Sequence, residues 1–449
     1  MQSRRQGRVE ALGVSGLPKG SHESMPSSKI SFNYAQARLL AVLALINFVN
    51  FADRQVLNPL VPLLRQHFGV SDTQLGSLQW VLLVVLAVAS IPSGYLADRF
   101  NEPKIISAGV LFWSAAAIAS GLAPTFAFLF VARGLVGIGE AAYAPAAQSL
   151  ISDSFSQDNR AMAQSIFAAG MILGGVSGLA LGGIMGERHG WQHAFFIVGI
   201  LGVIPGLTAL KLKEPPRRPR SEVVPVLELL RVPAFVAMIV AGICITFSSV
   251  SFVTWGIDYA KTYKDFSTKE ASLSLAIIAL FSSVFGALSA GYFADRLQKK
   301  LAYGRVLVIA VAFLAAAPFL LVAIQADEKW MVLAGFFGSM YFMSWYHGPT
   351  TAVLHDLTPQ RAHATAIGVY MFATQLLGAL GPLLIGRISD MSDLQVGLQA
   401  ATAVMVFGAL LLLLVIHFIR RDGLHHPRLA QFRAEERATV APEPLARTL

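Results

Sequence analysis

Twelve apolar runs, 18 to 27 residues long and separated by short polar breaks, dominate this chain and leave few folds open to it. They fall near 38–64, 74–97, 105–122, 126–151, 161–186, 193–212, 233–258, 271–294, 305–325, 330–355, 363–387 and 395–419. A helix rises about 1.5 Å per residue and needs about 20 residues to cross ~30 Å of hydrocarbon. Inside a bilayer every backbone N–H and C=O must bond within the chain, which favours helices over open strands. The expected fold is therefore an all-α membrane protein with twelve transmembrane helices, called crossings 1 to 12 below. Only 14% of the residues are charged, against roughly 25% in soluble domains, so most of the chain has no face suited to water.

The net charge of +9 would suggest a nucleic-acid partner in a soluble chain, so the placement of the charge decides its meaning. Of the 35 Lys and Arg, 26 fall in segments that share one side of a twelve-crossing topology, seven on the other and two inside. This is the positive-inside asymmetry, and it makes nucleic acid unnecessary as an explanation. Residues 1–37, basic and rich in Ser, Gly and Pro, are expected to form a disordered cytoplasmic tail rather than a cleaved signal peptide. Residues 38–212 form one six-helix bundle, 213–232 a linker, 233–419 a second bundle and 420–449 a cytoplasmic tail. The linker core, Glu214-Pro215-Pro216-Arg217-Arg218-Pro219-Arg220, reads as solvated and stiffened by proline. Both termini are expected in the cytoplasm, with the protein multi-pass in the inner or plasma membrane. Cys244 is the only cysteine, so no intramolecular disulfide can form.

The two bundles are related. Gly94-Tyr95-Leu96-Ala97-Asp98-Arg99 recurs as Gly291-Tyr292-Phe293-Ala294-Asp295-Arg296, five of six residues identical at an offset of 197. Asp153 and Arg160 recur as Asp356 and Arg361, at offsets of 203 and 201. A near-constant spacing means parallel duplication of six helices, a plan used by transporters with a site at the repeat interface.

At these residues the chain resembles the major facilitator superfamily over everything but its tails. The loop motif G-x-x-x-D-R stands in both halves, and the fourth-crossing pattern R-x-x-x-G-x-G stands as Arg133, Gly137 and Gly139. A narrower resemblance is to the Spinster-type lipid transporters, carried by Asn50-Phe51-Ala52-Asp53-Arg54 in crossing 1 and by Arg133 to Ala141 in crossing 4. Asp-Arg in crossing 1 and Gly-Glu-Ala in crossing 4 also occur in organic-anion symporters of the superfamily. The loop motif usually continues Gly-Arg-Arg/Lys, whereas here Asn101-Glu102-Pro103-Lys104 follows. Gln192 stands after Gly190-Trp191, where an Arg is common.

Four formal charges fall within the hydrocarbon: Asp53 and Arg54 on crossing 1, Arg133 and Glu140 on crossing 4. Each would cost roughly 2.5 to 3.5 kcal/mol if inserted unpaired. Two acids and two bases sum to zero, which points to mutual pairing in a wet cavity. On this reading Arg54 and Arg133 bind an anionic substrate group while Asp53 or Glu140 exchanges a proton. Substrate occupying the arginine favours carboxyl protonation, and its departure favours release. The plainer alternative is a pair of inert salt bridges locking crossing 1 to crossing 4, with Arg133 equally suited to packing or proton relay.

Asp98 and Asp295 end helices at the cytoplasmic face, where a carboxylate can meet the positive N-terminus of another helix. The resemblance implies a conformational latch there, with Arg99, Asp153 and Arg160 in the first half and Arg296, Asp356 and Arg361 in the second. A topology marker with a helix cap is the bland reading.

Crossings 7 to 12 carry no Asp, Glu, Lys or Arg at mid-depth. Their candidates are Trp255 on crossing 7 and Tyr341, Trp345, Tyr346 and His347 on crossing 10. Tyr341, Trp345 and His347 are proposed substrate contacts, although aromatics of this kind are more often core, and a lone His more often packing. Gly170, Gly174, Gly175, Gly178, Gly182 and Gly183, with Gly378 and Gly381, permit close helix approach. Pro59, Pro145, Pro349 and Pro382 can kink helices.

No Walker-type loop, metal-ligand spacing or Ser/His/Asp set is present, so no enzyme activity, metal or cofactor is expected. The expected function is proton-coupled transport by alternating access. The Spinster resemblance implies a lysophospholipid or sphingoid phosphate; the rival is a proton symporter of small organic or sugar acids, kept open by Thr374 and Gln375. A receptor or scaffold is a minor alternative. The expected partners are the lipid-like or organic-anion substrate, protons and membrane lipids, with the protein a monomer.

Overall fold

The computed structural model describes residues 32–214, 225–424 and 426–430, with the side chains of residues 97, 98, 157, 158, 161, 347 and 428 also outside the described set. The tails beyond those limits and the linker core lie outside it too. The first half consists of α1 (Tyr34–Phe68), α2 (Asp72–Arg99), α3 (Glu102–Gly121), α4 (Phe126–Ser154), α5 (Gln157–His189) and α6 (Trp191–Ala209). After a short helix, α7 (Val226–Leu230), the second half runs through α8 (Pro233–Tyr263), α9 (Thr268–Gln298), α10 (Gly304–Gln325), α11 (Lys329–Met343), α12 (His347–Leu357), α13 (His363–Gly378), α14 (Leu380–Met391) and α15 (Leu394–Asp422). No strand occurs among the described residues.

Helix starts are set by local chemistry. Asn33, Ser71 and Ser267 each close a capping box with the residue three positions on, and Thr125 and Asp393 cap with their side chains. Gly69 ends α1 in the left-handed conformation, φ 62°, and turns the chain into α2 within three residues.

Eleven described segments are long and apolar enough to span a membrane. The remaining one, crossing 10, expected as one helix over 330–355, is broken: α11 stops at Met343, Ser344–Tyr346 form a 3-10 turn, and α12 resumes at His347. Crossing 11, expected as continuous over 363–387, is likewise interrupted at Ala379 between α13 and α14. Both breaks lie four residues or fewer before a Gly-Pro pair, Gly348-Pro349 and Gly381-Pro382. The proline withholds the N–H that would reach back one turn, and the glycine before it, with no Cβ, weakens the helix and lets the backbone bend. Pro59 and Pro145, which follow Asn58 and Ala144, stay inside unbroken helices.

Packing inside each half repeats. A row of glycines on α5 meets backbone on α1: a Cβ at Gly170, Gly174, Gly178 or Gly182 would lie 2.1 to 2.6 Å from the carbonyl oxygens of Ala44, Phe48, Ala52 and Val56 respectively. The spacing of four on both helices is one face of each. In the second half, crossing 11 leans on crossing 7 in the same way, with a Cβ at Gly381 only 2.2 Å from Phe247 O.

Candidate functional site

The glycine face of α5 fixes the back of α1, so that Asp53 and Arg54 are turned toward α4. Arg133 Nη1 donates to both carboxylate oxygens of Asp53 at 3.1 and 3.2 Å, and Nη2 reaches the Asp53 carbonyl at 3.4 Å. Neither side chain has any exposure. Seven residues along α4, the Glu140 carboxylate accepts from Arg54 Nε at 2.7 Å. Glu140 is fully covered, whereas Arg54 is 15% exposed, which makes it the member of the quartet that an incoming anion can reach. Arg54 also lies over the Phe51 ring at 5.0 Å and Arg133 over Phe195 at 5.5 Å.

The quartet is not fully satisfied. Glu140 Oε1, Arg133 Nε and Asn50 Nδ2 are buried with no hydrogen-bond partner among the described residues. A buried carboxylate with a free oxygen is expensive while charged, because nothing replaces the water it has lost.

A second charged cluster, which the sequence reading did not single out, joins the two halves at the end remote from the termini. Arg65 in the last turn of α1 donates from Nη1 and Nη2 to Asp258 of α8 at 2.9 and 2.6 Å, and from Nε to Asp72 at 2.8 Å. Asp390 of α14 accepts from the Asp72 and Thr73 backbone N–H groups, both at 2.8 Å, and so caps α2 from the opposite half. Ser389 donates to Asp72 at 2.6 Å, and Glu187 of α5 accepts from the Lys269 backbone N–H of α9 at 2.7 Å. Backbones touch at the same level: a Cβ at Gly76 would lie 2.2 Å from Pro382 O, and one at Gly386 2.3 Å from Asp72 O. The protein is thus bolted shut at its far end. Toward the basic end, crossing 2 leaves Ile91 and Tyr95 exposed, and crossing 8 leaves Leu288 and Tyr292 exposed.

At the basic end the expected latch residues lie within their own halves. Arg305 of α10 bridges Asp295 at 3.1 Å and Asp356 at 2.6 Å. Arg305, which follows Gly304 at the very start of α10, was not among the expected latch residues, yet it holds two carboxylates that were. Arg296 donates to the Tyr292 hydroxyl at 3.0 Å, and Arg361 is bonded. In the first half Arg99 lies over Tyr95 at 4.1 Å, Arg160 donates to Phe155 O at 3.4 Å, and Asp153 is half-buried and bonded. The side chain of Asp98 lies outside the described residues.

Among the second-half aromatics, Trp255 is buried and donates to Pro382 O at 3.1 Å, tying crossing 7 to crossing 11 as a core residue. Tyr341 donates to Ser289 at 2.9 Å, and Trp345 stacks on Phe293 at 5.3 Å. The Tyr346 and Tyr370 hydroxyls share a hydrogen bond, and Thr374 donates to the Tyr370 carbonyl at 2.9 Å. The side chain of His347 lies outside the described residues.

Twelve crossings in two related halves, bolted together at one end around a buried charged cluster, make the architecture of a secondary transporter. The chain belongs to the Major Facilitator Superfamily, whose family model matches residues 43–382 and 300–447. Its curated relatives include a Xenopus tropicalis protein named sphingosine-1-phosphate transporter SPNS2, 28% identical over 85% of this chain and 79% of the relative. Human protein spinster homolog 1 is 29% identical over 79% of this chain and 73% of its own. A solved structure of a bacterial homolog of the human lysosomal transporter Spinster, inward-facing and occupied, shares the fold with a TM-score of 0.75 at 23% identity, over 87% of this chain and 99% of that one. The protein is a transporter related to the Spinster group rather than an enzyme.

Proposed function

We propose that the protein is a proton-coupled secondary transporter that works by alternating access and carries an amphiphilic anionic or zwitterionic lipid, of the lysophospholipid or sphingoid-phosphate class. The observation that carries this reading is the Arg54–Glu140 pair, in which an accessible cation covers a sealed carboxylate. An anionic head group docking on Arg54 competes for the guanidinium held at 2.7 Å by Glu140. Glu140 then stands desolvated, with its second oxygen already unpartnered, and takes a proton to shed its charge. When the head group leaves, Arg54 returns and the proton is expelled. Asp53 and Arg133, fully buried against each other, open to protons only when they part during rocking.

Four buried charges are a poor device for simply holding two helices, since apolar side chains of similar volume often do so equally well. That argues for a working role. The basic end is the cytoplasmic one on the positive-inside rule, in a plasma or inner membrane, with the protein a monomer. In the opposite state the loop residues Asp98, Arg99, Asp153 and Arg160, with Asp295, Arg296, Arg305, Asp356 and Arg361, close the cytoplasmic end. The lipid assignment is supported by the relatives and by the absence of mid-depth charge in the second half.

The test is uptake into proteoliposomes with and without an imposed pH gradient, offering a lysophospholipid, a sphingoid phosphate or a small organic acid. Gradient-stimulated movement of a lipid supports the proposal. Uptake of only the organic acid replaces the lipid with the small-anion reading, and transport indifferent to the gradient removes proton coupling.

A further inference from the structure

A crevice separate from the charged quartet opens between crossings 8, 9 and 10 at the basic end. Its volume is about 330 Å³, within the ~300–1,000 Å³ typical of small-molecule sites. Phe293, Leu297, Val308, Val311 and Trp345 form its apolar wall, and Arg296 and Lys300 are its charged lining residues.

Several features distinguish it from an ordinary helix seam. No acid lines it, and the nearby acids Asp295 and Asp356 are already held by Arg305. Arg296 and Lys300 make no ion pair among the described residues, so two positive charges border an apolar hollow without a counter-charge. The indole N–H of Trp345 is buried without an acceptor, and the ring stacks on Phe293 at 5.3 Å and 20°. Trp345 belongs to the 3-10 turn that interrupts crossing 10, and irregular backbone at membrane depth is tolerated where it is enclosed by protein or lines a cavity.

The two repeats differ at the basic end of the crevice. At the offset of 197, Lys299 and Lys300 correspond to Glu102 and Pro103. In the first half those residues begin α3 at once. In the second half Lys299 to Tyr303 intervene before α10 begins at Gly304. Val311 lies seven residues into α10, roughly 10 Å below its start at 1.5 Å per residue. The crevice therefore extends from the level of the lipid head groups into that of the upper acyl chains.

We propose that this crevice binds an anionic phospholipid of the leaflet on the basic side, its phosphate between Arg296 and Lys300 and an acyl chain along Phe293, Val311 and Trp345. Basic pockets between membrane helices recognise anionic head groups in this way. The proposal needs only that the protein spans a bilayer, and it stands or falls apart from the transport reading.

The experiment titrates the purified full-length protein with phosphatidylglycerol or phosphatidylcholine of matched chains, counting retained lipids by native mass spectrometry. Phosphatidylglycerol brominated in its acyl chains then reports position through quenching of tryptophan fluorescence. Phosphatidylglycerol should be retained at least about tenfold more tightly than phosphatidylcholine, and R296Q/K300Q should weaken it by roughly 10- to 30-fold. K211Q/K213Q, which removes as much charge elsewhere on the same side, should leave it unchanged. V311W, which fills the hollow and keeps both charges, should displace the chain, and W345F should remove most of the quenching. Equal binding of the two lipids, unchanged affinity in both R296Q/K300Q and V311W, or retention of a single-chain lysolipid in preference to phosphatidylglycerol overturns the proposal.

Discussion

Replacing Arg65 with Gln should unbolt the far end and move the protein toward a state open on that side. The guanidinium makes two bonds to Asp258, at 2.9 and 2.6 Å, and one to Asp72 at 2.8 Å. Its loss leaves the Asp258 side chain, only 1% exposed, without a counter-charge. Removing one partner of a buried pair costs about 3–5 kcal/mol, and a hydrogen bond to a charged group is worth about 1.5–3 kcal/mol. Arg65 itself is 30% exposed, so water recovers part of the loss and about 2–3 kcal/mol is the reasonable share. That shifts the conformational equilibrium by roughly 30- to 150-fold. A protein resting near 100:1 in favour of the closed far end would come close to parity, within about a factor of three. Spin labels at Gln66 and Met391, exposed residues at the far ends of crossings 1 and 11, can be placed in a C244S background that removes the only native cysteine. Pulsed dipolar spectroscopy should give one short distance for wild type and a second, longer one for R65Q. R65K should fall between, since it keeps the charge and loses the two-pronged grip. Identical distance distributions in wild type, R65Q and D258N would refute the assignment of this cluster as the closing bolt.

Three further outcomes follow from the same geometry. Asp53→Asn leaves Arg133 buried without a counter-charge and should destabilise the protein by about 3–5 kcal/mol, read as a lowered Tm; pairing it with Arg133→Met should recover much of the loss. Gly76→Ala forces a Cβ to within 2.2 Å of Pro382 O, so it should lengthen the far-end distance with little change in Tm, whereas Gly174→Ala, pressed on Phe48 O within one half, should lower Tm by the equivalent of about 1–3 kcal/mol. Asp98→Asn should raise the far-end-closed population and slow transport if the loop motif closes the cytoplasmic end, and unchanged populations with unchanged transport would reject that latch.

The residues that sequence could point to were those out of place in their surroundings. Asp53, Arg54, Arg133 and Glu140 stand inside apolar runs, where a charge needs a reason, and the structure sets them in two pairs. Arg65, Asp72, Asp258 and Asp390 lie at the ends of such runs, where charged flanks are common and carry no sign of a partner. Their meaning depends on which helix ends meet across the two halves, and that comes only from three-dimensional assembly. Arg305 was hidden for a related reason, since a base at the start of a cytoplasmic helix is what the positive-inside pattern supplies anyway. The repeat located the halves, but it could not tell that crossing 10 would break at Ser344 while crossing 4, also carrying a proline, would not. Glycine beside Pro349 and its lack beside Pro145 is the difference, and it is legible only once the consequence is known.

The central claim, that Glu140 carries the coupled proton beneath Arg54, is tested most directly by comparing wild type with Glu140→Gln in proteoliposomes. Uptake driven by a pH gradient is measured beside substrate exchange without one. The account predicts that Glu140→Gln keeps exchange and loses accumulation against a gradient, because a permanently neutral side chain can release Arg54 but cannot deliver a proton. Full gradient-driven accumulation by Glu140→Gln would contradict it.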